Sequence, residues 1–232
     1  MHQLKGASLS GEEPASAKVQ AEGHGLSGEP KRVLHVGCGP FSPDKLHGVF
    51  RGSDWREIRV DIDPAVKPDI QASITDLRKN VPDASIDAIW SSHNIEHLYD
   101  HEVGLALREF VRVLRPAGFA LLTCPDLEAI SQLIAAGLER VAYESPAGPV
   151  TPLDMLFGLR RSIEQGNLFM CHRTGFTEER LGKVIIAAGF HEARVLKGRN
   201  YDLWALGLMA NADREDIETL LSANRLVFRT SA

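Results

Sequence analysis

The sequence predicts an α/β protein whose doubly wound, mostly parallel sheet ends in an antiparallel strand. From residue 31 onward, short apolar segments with strand character alternate with longer amphipathic segments, which is typical of a parallel sheet covered by helices. The last two strand-like segments, residues 191–198 and 202–211, are separated by a turn too short to hold a crossover helix, so they must pair antiparallel. A chain of 232 residues is long enough for one such domain with a sizeable core.

The first 30 residues differ from the rest of the chain. They are rich in Gly, Ser, Ala, Glu and Pro and contain few large apolar side chains, so they cannot bury enough surface to offset their ordering entropy. We expect residues 1–30 to form a flexible tail and residues 31–232 to form the domain.

The first half of the domain shows the alternation of elements most plainly. A helix is predicted at residues 101–118, with apolar side chains on one face, and Pro116 and Gly118 are expected to end it. Another helix is expected to begin after Asp126, a suitable N-cap residue. Strands are predicted at residues 32–37, 57–64, 86–92 and 119–125.

Residues 142–175 interrupt the alternation of strands and helices, and we predict a helical insert at about 138–175. The insert is expected to open with a loop and to continue as one helix, with Thr151 as its N-cap and Gly166 just past its end. The core pattern then resumes with a helix between Thr177 and Gly189, the two antiparallel strands and a closing helix at residues 213–224.

Composition and charge exclude several classes of function. The net charge of −5 gives no basic footprint for nucleic acid, and no apolar run is long enough to predict a membrane span or a signal peptide. The three cysteines lie far apart in sequence, which favours free thiols in a reducing compartment: Cys38, Cys124 and Cys171. We expect a cytoplasmic protein, a monomer or homodimer, that acts on a small molecule.

Two glycines follow the first predicted strand, at the edge of the sheet where doubly wound proteins bind ligands. Gly37 and Gly39 can adopt positive φ and let a ligand touch the backbone, and Asp61 follows Gly39 by 22 positions at the end of the second strand. A carboxylate there can accept hydrogen bonds from both ribose hydroxyls, which predicts a nucleoside site. The third glycine of a dinucleotide-binding turn is replaced by Ser42, which favours an adenosine without phosphate over NAD.

Several motifs in order then identify a family. The segments "VLHVGCGP", "VDIDP", "ITDLRKNVPDASIDAIWSSHNIEHL", "EFVRVLRPAGFALLTCPDL" and "HRTGFTEERLGKVIIAAGF" resemble class I S-adenosylmethionine-dependent methyltransferases, most of all the bacterial small-molecule group. The resemblance covers roughly residues 30–210. It implies a seven-stranded Rossmann-like methyltransferase fold, with S-adenosylmethionine as cofactor and S-adenosylhomocysteine as product.

The resemblance also implies roles for individual residues. Asp61, rather than the nearby Asp63, would hold the ribose because it aligns with the acid at the end of the family's second strand. The other cofactor-binding residues would face the methionine part (Gly37, Cys38 and Gly39), pack on or bind the adenine (Ile62, Asp76 and Leu77) and line the sulfonium side (Ser92 and His93).

The acceptor side is predicted from the insert and the ends of later strands. His172 is the first candidate for a general base and His93 the second, because an imidazole can remove a proton near neutral pH. Substrate-binding roles are expected for Asp126, Tyr143 and Arg173.

His93, His97 and His101 recur every four residues and could bind a metal if they shared one helix. We favour a structural interpretation, with His93 in a loop and the Glu96–His97 pair building the helix start, and expect no metal.

Taken together, the sequence predicts a methyltransferase that modifies an O or N atom of a metabolite or a sugar. A S-adenosylmethionine-binding partner protein without catalysis is an alternative, and an NAD-linked oxidoreductase is a further one.

Overall fold

The computed structural model describes residues 28–137, 140–145 and 148–228, so most of the predicted tail lies outside the described residues. Nine strands and six helices longer than a single turn follow one another along this part of the chain. The strands are β1 Lys31–Val36, β2 Trp55–Asp61, β3 Ile70–Gln71, β4 Ile86–Ser92, β5 Leu114–Pro125, β6 Tyr143–Ser145, β7 Gly148–Val150, β8 Glu192–Lys197 and β9 Asp202–Leu208. The helices are α1 Asp100–Val113, α2 Leu127–Ala135, α3 Pro152–Phe157, α4 Arg160–Glu164, α5 Glu178–Ala188 and α6 Arg214–Ala223.

Seven of the strands form the predicted sheet, in the order β3-β2-β1-β4-β5-β9-β8. The first five pair parallel, whereas β9 pairs antiparallel with both β5 and β8. The predicted doubly wound sheet with an antiparallel strand near its end is therefore confirmed. The chain order reverses between β1 and β4, which opens a crevice at the carboxyl ends of these strands.

Each face of the sheet is covered by helices because side chains alternate along every strand. On one face Leu34 and Ile89 pack in the cluster that holds the apolar sides of α1 and α5. On the other face Val33 and Trp90 pack in the cluster that contains Ile217 from α6. The sheet is thus buried on both faces within the described residues.

Two features of the strand pattern were not predicted. Helix α1 ends at Val113, and β5 begins at once with Leu114, so Pro116 and Gly118 lie in the strand rather than at the end of the helix. A shift of register between Ile86 and Ala88 accommodates this irregular start of β5. Strand β3 has only two residues, too few to give a periodic signal.

The insert differs from the prediction in two ways. The expected loop at its start contains a small hairpin of β6 and β7. The expected single helix is two helices, α3 and α4, divided at Gly158 with a φ of +94°. A Cβ at Gly158 would lie 1.8 Å from the carbonyl oxygen of Met170, so the chain breaks where a later part of the insert crosses it.

The capping predictions for the insert and the following helix hold. Thr151 accepts a hydrogen bond from the Asp154 amide at the start of α3, and Asp154 in turn accepts one from the Thr151 amide. Thr177 caps α5, and Gly189 ends it in the left-handed conformation with a φ of +113°. Within the described residues no helix is long and apolar enough to cross a membrane.

Candidate functional site

A crevice of about 710 Å³ opens at the carboxyl ends of β1, β2 and β4. This volume lies within the range of ~300–1,000 Å³ that small-molecule and cofactor sites occupy. Its wall includes Gly37 and Gly39 after β1, Asp61 at the end of β2, and Ser92 and His93 at the end of β4. The predicted glycine turn and strand-end acid therefore meet at one place.

The turn after β1 is held from two sides. Gly37 and Gly39 have φ values of +62° and +59°, which favour glycine. The Gly39 amide donates a hydrogen bond to Asp61 Oδ2 at 2.8 Å, and the Gly39 carbonyl accepts one from Arg59 Nη2 at 2.6 Å. An added Cβ at Gly37 would lie 2.4 Å from the Asn94 side chain, so that position also requires glycine for space; at Gly39 the nearest atom would be Lys45 Nζ at 2.5 Å, the end of a flexible side chain that can move.

The two carboxylates of "DIDP" have different partners. The side chain of Asp63 accepts a hydrogen bond from the Ala65 amide at 2.8 Å and caps a short turn, Pro64–Val66. Asp61 instead faces the glycine turn, and its two oxygens accept the amides of Gly39 and Asp63 at 2.8 Å and 2.9 Å. A carboxylate has about four lone-pair sites, so Asp61 retains acceptor capacity toward the crevice.

Cys38 and Ile62, two further predicted cofactor residues, also line the crevice. Cys38 is buried, and its burial raises the pKa of the thiol to about 11, so it remains protonated and serves as a small packing residue. Ile62 presents a half-exposed apolar side chain beside Asp61, where it can pack on a flat ring.

The predicted adenine-binding pair, Asp76 and Leu77, lies next to the residues that line the crevice. Asp76 is exposed and accepts a hydrogen bond from the Arg78 amide, and Leu77 is fully buried in the core. Neither belongs to the lining of the crevice, which at this point is formed by Ser73 and Ile74. The chain between β3 and β4 has no periodic signal, so the sequence could not show which of its residues turn toward the ligand.

Ser92 and His93 lie where β4 ends. The Ser92 hydroxyl accepts a hydrogen bond from Thr123 Oγ1 at 3.3 Å, and His93 has a φ of +47°, uncommon for a residue with a side chain. His93 Nδ1 is 3.3 Å from Oε1 of the buried Glu96. Burial opposes the charge on His93, but the neighbouring Glu96 carboxylate outweighs it and raises the pKa of His93.

The same pair affects Glu96. Burial opposes its charge too, but the neighbouring His93 imidazole, together with the His97 and His172 rings, holds the pKa of Glu96 below its usual range. The side chain therefore remains a carboxylate at neutral pH.

Three predicted acceptor-side residues are not among the residues that line the crevice. His172 packs against the His97 ring, and burial lowers the pKa of its imidazole. Asp126 is buried and caps α2 by accepting the Glu128 amide at 3.0 Å. Tyr143 lies in β6 and packs with the insert around Met155. That these side chains face the acceptor therefore stays a prediction.

Arg173, the remaining predicted acceptor residue, does line the crevice. Its guanidinium lies over the Tyr99 ring, 4.8 Å from the ring centroid, and Nη1 donates a hydrogen bond to the His97 carbonyl at 3.2 Å. The insert thus contributes to the wall through Arg173 and through the neighbouring Phe169 and Met170.

Sequence reasoning missed part of the wall at the start of β9. Asp202 and Trp204 both line the crevice, and Trp204 Nε1 donates a hydrogen bond to Asp202 Oδ2 at 2.8 Å. The available signal was an acid at a predicted strand end, the same kind of signal that indicated Asp61. It was not interpretable without the sheet order, which places β9 beside β5.

The residues present fit S-adenosylmethionine. A turn without side chains at Gly37 and Gly39 lets a ligand approach the backbone, as a zwitterionic amino-acid end requires. Asp61 has acceptor capacity left for two hydroxyl groups, and Ile62 supplies an apolar surface next to it. A pyrophosphate would need the N-terminus of a helix directly after the glycine turn, but residues 41–47 form an irregular turn instead.

Comparison with known proteins adds an independent line of evidence. Residues 34–122 match the model of a methyltransferase domain. A probable S-adenosylmethionine-dependent methyltransferase of Mycolicibacterium smegmatis is 34% identical over 103 residues, which cover 40% of this chain and 38% of the relative. The chain thus matches well under half of the length of this curated relative.

Solved structures share the fold at low sequence identity. The PH0226 protein of Pyrococcus horikoshii matches with a TM-score of 0.53 and 15% identity, over 78% of this chain and 82% of its own. The CMeT domain of the citrinin polyketide synthase matches with a TM-score of 0.50 and 15% identity, over 80% of this chain and 48% of the other. With the matched domain model and the sheet order, these findings lead to one conclusion: the described chain has the Rossmann-like fold of class I S-adenosylmethionine-dependent methyltransferases, and its residues 34–122 match a methyltransferase domain.

Proposed function

We propose that this protein transfers a methyl group from S-adenosylmethionine to an O or N atom of a small-molecule acceptor, such as a metabolite or a sugar. The observation that carries the proposal is the convergence of the Gly37–Gly39 turn and the Asp61 carboxylate at the crevice between β1, β2 and β4. When bound, S-adenosylmethionine supplies an electrophilic methyl group, so the protein's task is to align it with the acceptor.

The cofactor half of the crevice is assigned residue by residue. Gly37, Cys38 and Gly39 face the methionine part, and Asp61 accepts the two ribose hydroxyls with the lone pairs that its backbone partners leave free. Ile62 packs on the adenine, and Ser73 and Ile74 take the place that the sequence had given to Asp76 and Leu77.

The acceptor half lies between the end of β4 and the insert. Ser92 and His93 form one wall, and Phe169, Met170 and Arg173 form the other. These walls leave room for a small acceptor, and the net charge of −5 disfavours a nucleic acid there. Where the acceptor is a hydroxyl or an ammonium group, proton removal falls to His93, because it lines the crevice and His172 does not.

Isothermal titration calorimetry with S-adenosylmethionine, S-adenosylhomocysteine and NAD tests the cofactor assignment. We expect the first two to bind and NAD not to bind. Asp61→Asn should weaken S-adenosylhomocysteine binding about 10- to 100-fold, since a hydrogen bond to a charged group contributes ~1.5–3 kcal/mol. Asp76→Asn, a matched change of an exposed carboxylate outside the lining, should leave the affinity unchanged.

Thermal melting of Asp61→Asn separates a binding effect from misfolding of the turn. Binding of NAD alone would overturn the proposed function, and an unchanged affinity in folded Asp61→Asn would overturn the ribose assignment. Transfer of radiolabelled methyl groups to pooled small metabolites, compared with pooled RNA, then tests the acceptor class. Labelling of the RNA pool alone would contradict a small-molecule acceptor.

A further inference from the structure

Glu96 is a buried carboxylate without a well-formed hydrogen bond. It lies in a short turn, Ile95–His97, directly after β4, and is 1% exposed. Neither of its oxygens has a hydrogen-bond partner of acceptable geometry among the described residues, and its one ion pair there is the 3.3 Å approach of His93 Nδ1. Burying a poorly paired carboxylate is costly, so this site favours a further positive charge close to Glu96.

Two imidazole rings beside Glu96 are oriented by the backbone. His97 Nδ1 is 3.1 Å from the Cys171 carbonyl oxygen, and His172 Nδ1 is 2.9 Å from the Met155 carbonyl oxygen. A carbonyl oxygen can only accept, so each Nδ1 carries the hydrogen, and in the neutral ring each Nε2 is left with a free lone pair. Backbone carbonyls fix the tautomer of metal-binding histidines in the same way.

The two rings and the carboxylate converge although they are far apart in sequence. The Arg173 and Thr174 amides donate to the Glu96 carbonyl at 2.8 Å and 3.2 Å, which joins the end of the insert to the turn after β4. The His97 and His172 ring centroids are 4.9 Å apart. One possible ligand atom from each of Glu96, His97 and His172 lies within 4.8 Å of the other two.

In neutral rings the Nε2 atoms are acceptors, as are the Glu96 oxygens, and acceptors that face one another repel unless a cation lies between them. We propose that Glu96, His97 and His172 bind a divalent first-row transition metal ion of the Zn²⁺ type. Two imidazoles and one carboxylate form a donor set suited to such an ion, whereas Mg²⁺ and Ca²⁺ prefer all-oxygen sites. Side-chain rotation that draws these atoms closer together would bring the three donors to Zn²⁺ bond lengths of ~2.0–2.2 Å.

The site leaves one or more coordination positions for a water molecule or a ligand, since three protein ligands do not complete the shell. His97 also belongs to the lining of the crevice, so the metal lies at the edge of the acceptor half. The histidine set that the sequence offered is different: His93 precedes the turn, and His101 is exposed on α1, so His93, His97 and His101 do not share one helix.

Calorimetry of the chelator-treated protein with Zn²⁺ tests the proposal, with the visible absorption of the Co²⁺-loaded protein as a second readout. We expect one ion per chain, Co²⁺ bands typical of nitrogen and oxygen ligands in a low-symmetry site, and a higher melting temperature with Zn²⁺. Glu96→Gln and His172→Asn should each weaken Zn²⁺ binding at least about 100-fold, because loss of an outer-shell partner alone costs 10- to 100-fold.

His101→Asn is the matched control, since it removes an exposed histidine four residues beyond His97 and should leave Zn²⁺ binding unchanged. Glu96 is buried, so if Glu96→Gln does not fold, His172→Asn still provides the test. Absence of stoichiometric binding, or binding that His172→Asn leaves unchanged, would overturn the proposal. A more stable Glu96→Gln in a protein that binds no metal would show that the cluster shares a proton instead.

These measurements use neither S-adenosylmethionine nor an acceptor. If the protein does not bind Zn²⁺, the results of the cofactor titrations are unaffected. If it does not bind S-adenosylmethionine, the result of the Zn²⁺ titration is unaffected.

Discussion

Substitution of Gly158 by alanine should disturb the whole insert. Gly158 has a φ of +94°, and a Cβ there would lie 1.8 Å from the Met170 carbonyl oxygen. The neighbouring atom belongs to the backbone, so it cannot yield by a simple side-chain rotation. Two costs therefore add: positive φ for a residue with a Cβ, and displacement of the chain at Met170.

Gly166 offers a matched control within the same insert. It has the same φ of +94°, but an added Cβ would have no atom within 4 Å. Gly166→Ala should therefore cost only the conformational penalty, about 1 kcal/mol. Gly158→Ala should cost about 3 kcal/mol, because overpacking adds ~1–3 kcal/mol. For a domain of this size the melting temperature should fall by ~2–4 °C per kcal/mol.

Urea unfolding measures the two free energies, and hydrogen exchange at the His172 amide reports on the insert itself. That amide donates to the Phe157 carbonyl at 3.1 Å, directly before Gly158, so its protection should fall much more in Gly158→Ala than in Gly166→Ala. The Zn²⁺ affinity of Gly158→Ala should also fall, because His172 would move away from Glu96. Equal stability and equal protection in the two variants would refute the reasoning.

Three further predictions concern individual side chains. Burial opposes the charge of Asp154, but hydrogen bonds from the cap of α3 and from α4 lower its pKa to about 2. The ionised side chain therefore contributes about 2 kcal/mol to the free energy of unfolding above pH ~4, and this contribution is lost as the pH falls toward 2. Asp154→Asn should therefore be less stable than the wild type in urea at pH 6, with a smaller difference at pH 2.5. Iodoacetamide at pH 8 should label the half-buried Cys171 in the native protein and spare Cys38, because the pKa of the Cys38 thiol is raised to about 11. Mass spectrometry of the labelled peptides would show which of the two cysteines reacts first. Glu109→Gln should cost about 2 kcal/mol or more in urea unfolding, since Glu109 is buried and accepts hydrogen bonds from the Leu77 amide and from Arg112; a loss below about 0.5 kcal/mol would contradict this.

The meeting of the glycine turn and the Asp61 carboxylate at the crevice could be predicted because its signals are local. A buried strand that ends in Gly37 and Gly39, and a second strand that ends in Asp61, each lie within one short segment. Parallel strands bring their carboxyl ends to one edge, so the two segments needed only the fold class to be placed together. The caps at Thr151 and Thr177 were predictable for the same reason, because a cap satisfies amides two or three residues away.

Where a segment has no periodic signal, the sequence could not choose among neighbouring residues. Asp76 and Leu77 are predicted to bind the adenine, and the crevice lining contains the nearby Ser73 and Ile74. The break at Gly158 depends on Met170, which crosses it from a later part of the chain. Neither the hairpin of β6 and β7 nor the position of Tyr143 in it could be inferred from composition.

By itself the sequence determined the class of fold, the antiparallel β9 and the turn that meets Asp61, because hydrophobic periodicity, short connections and glycine conformation all act over a few residues. The tertiary structure alone decided that His172 lies beside Glu96 and His97. Two amides at the end of the insert bond to the Glu96 carbonyl, and a contact between such distant segments exists only after the chain has folded around the sheet.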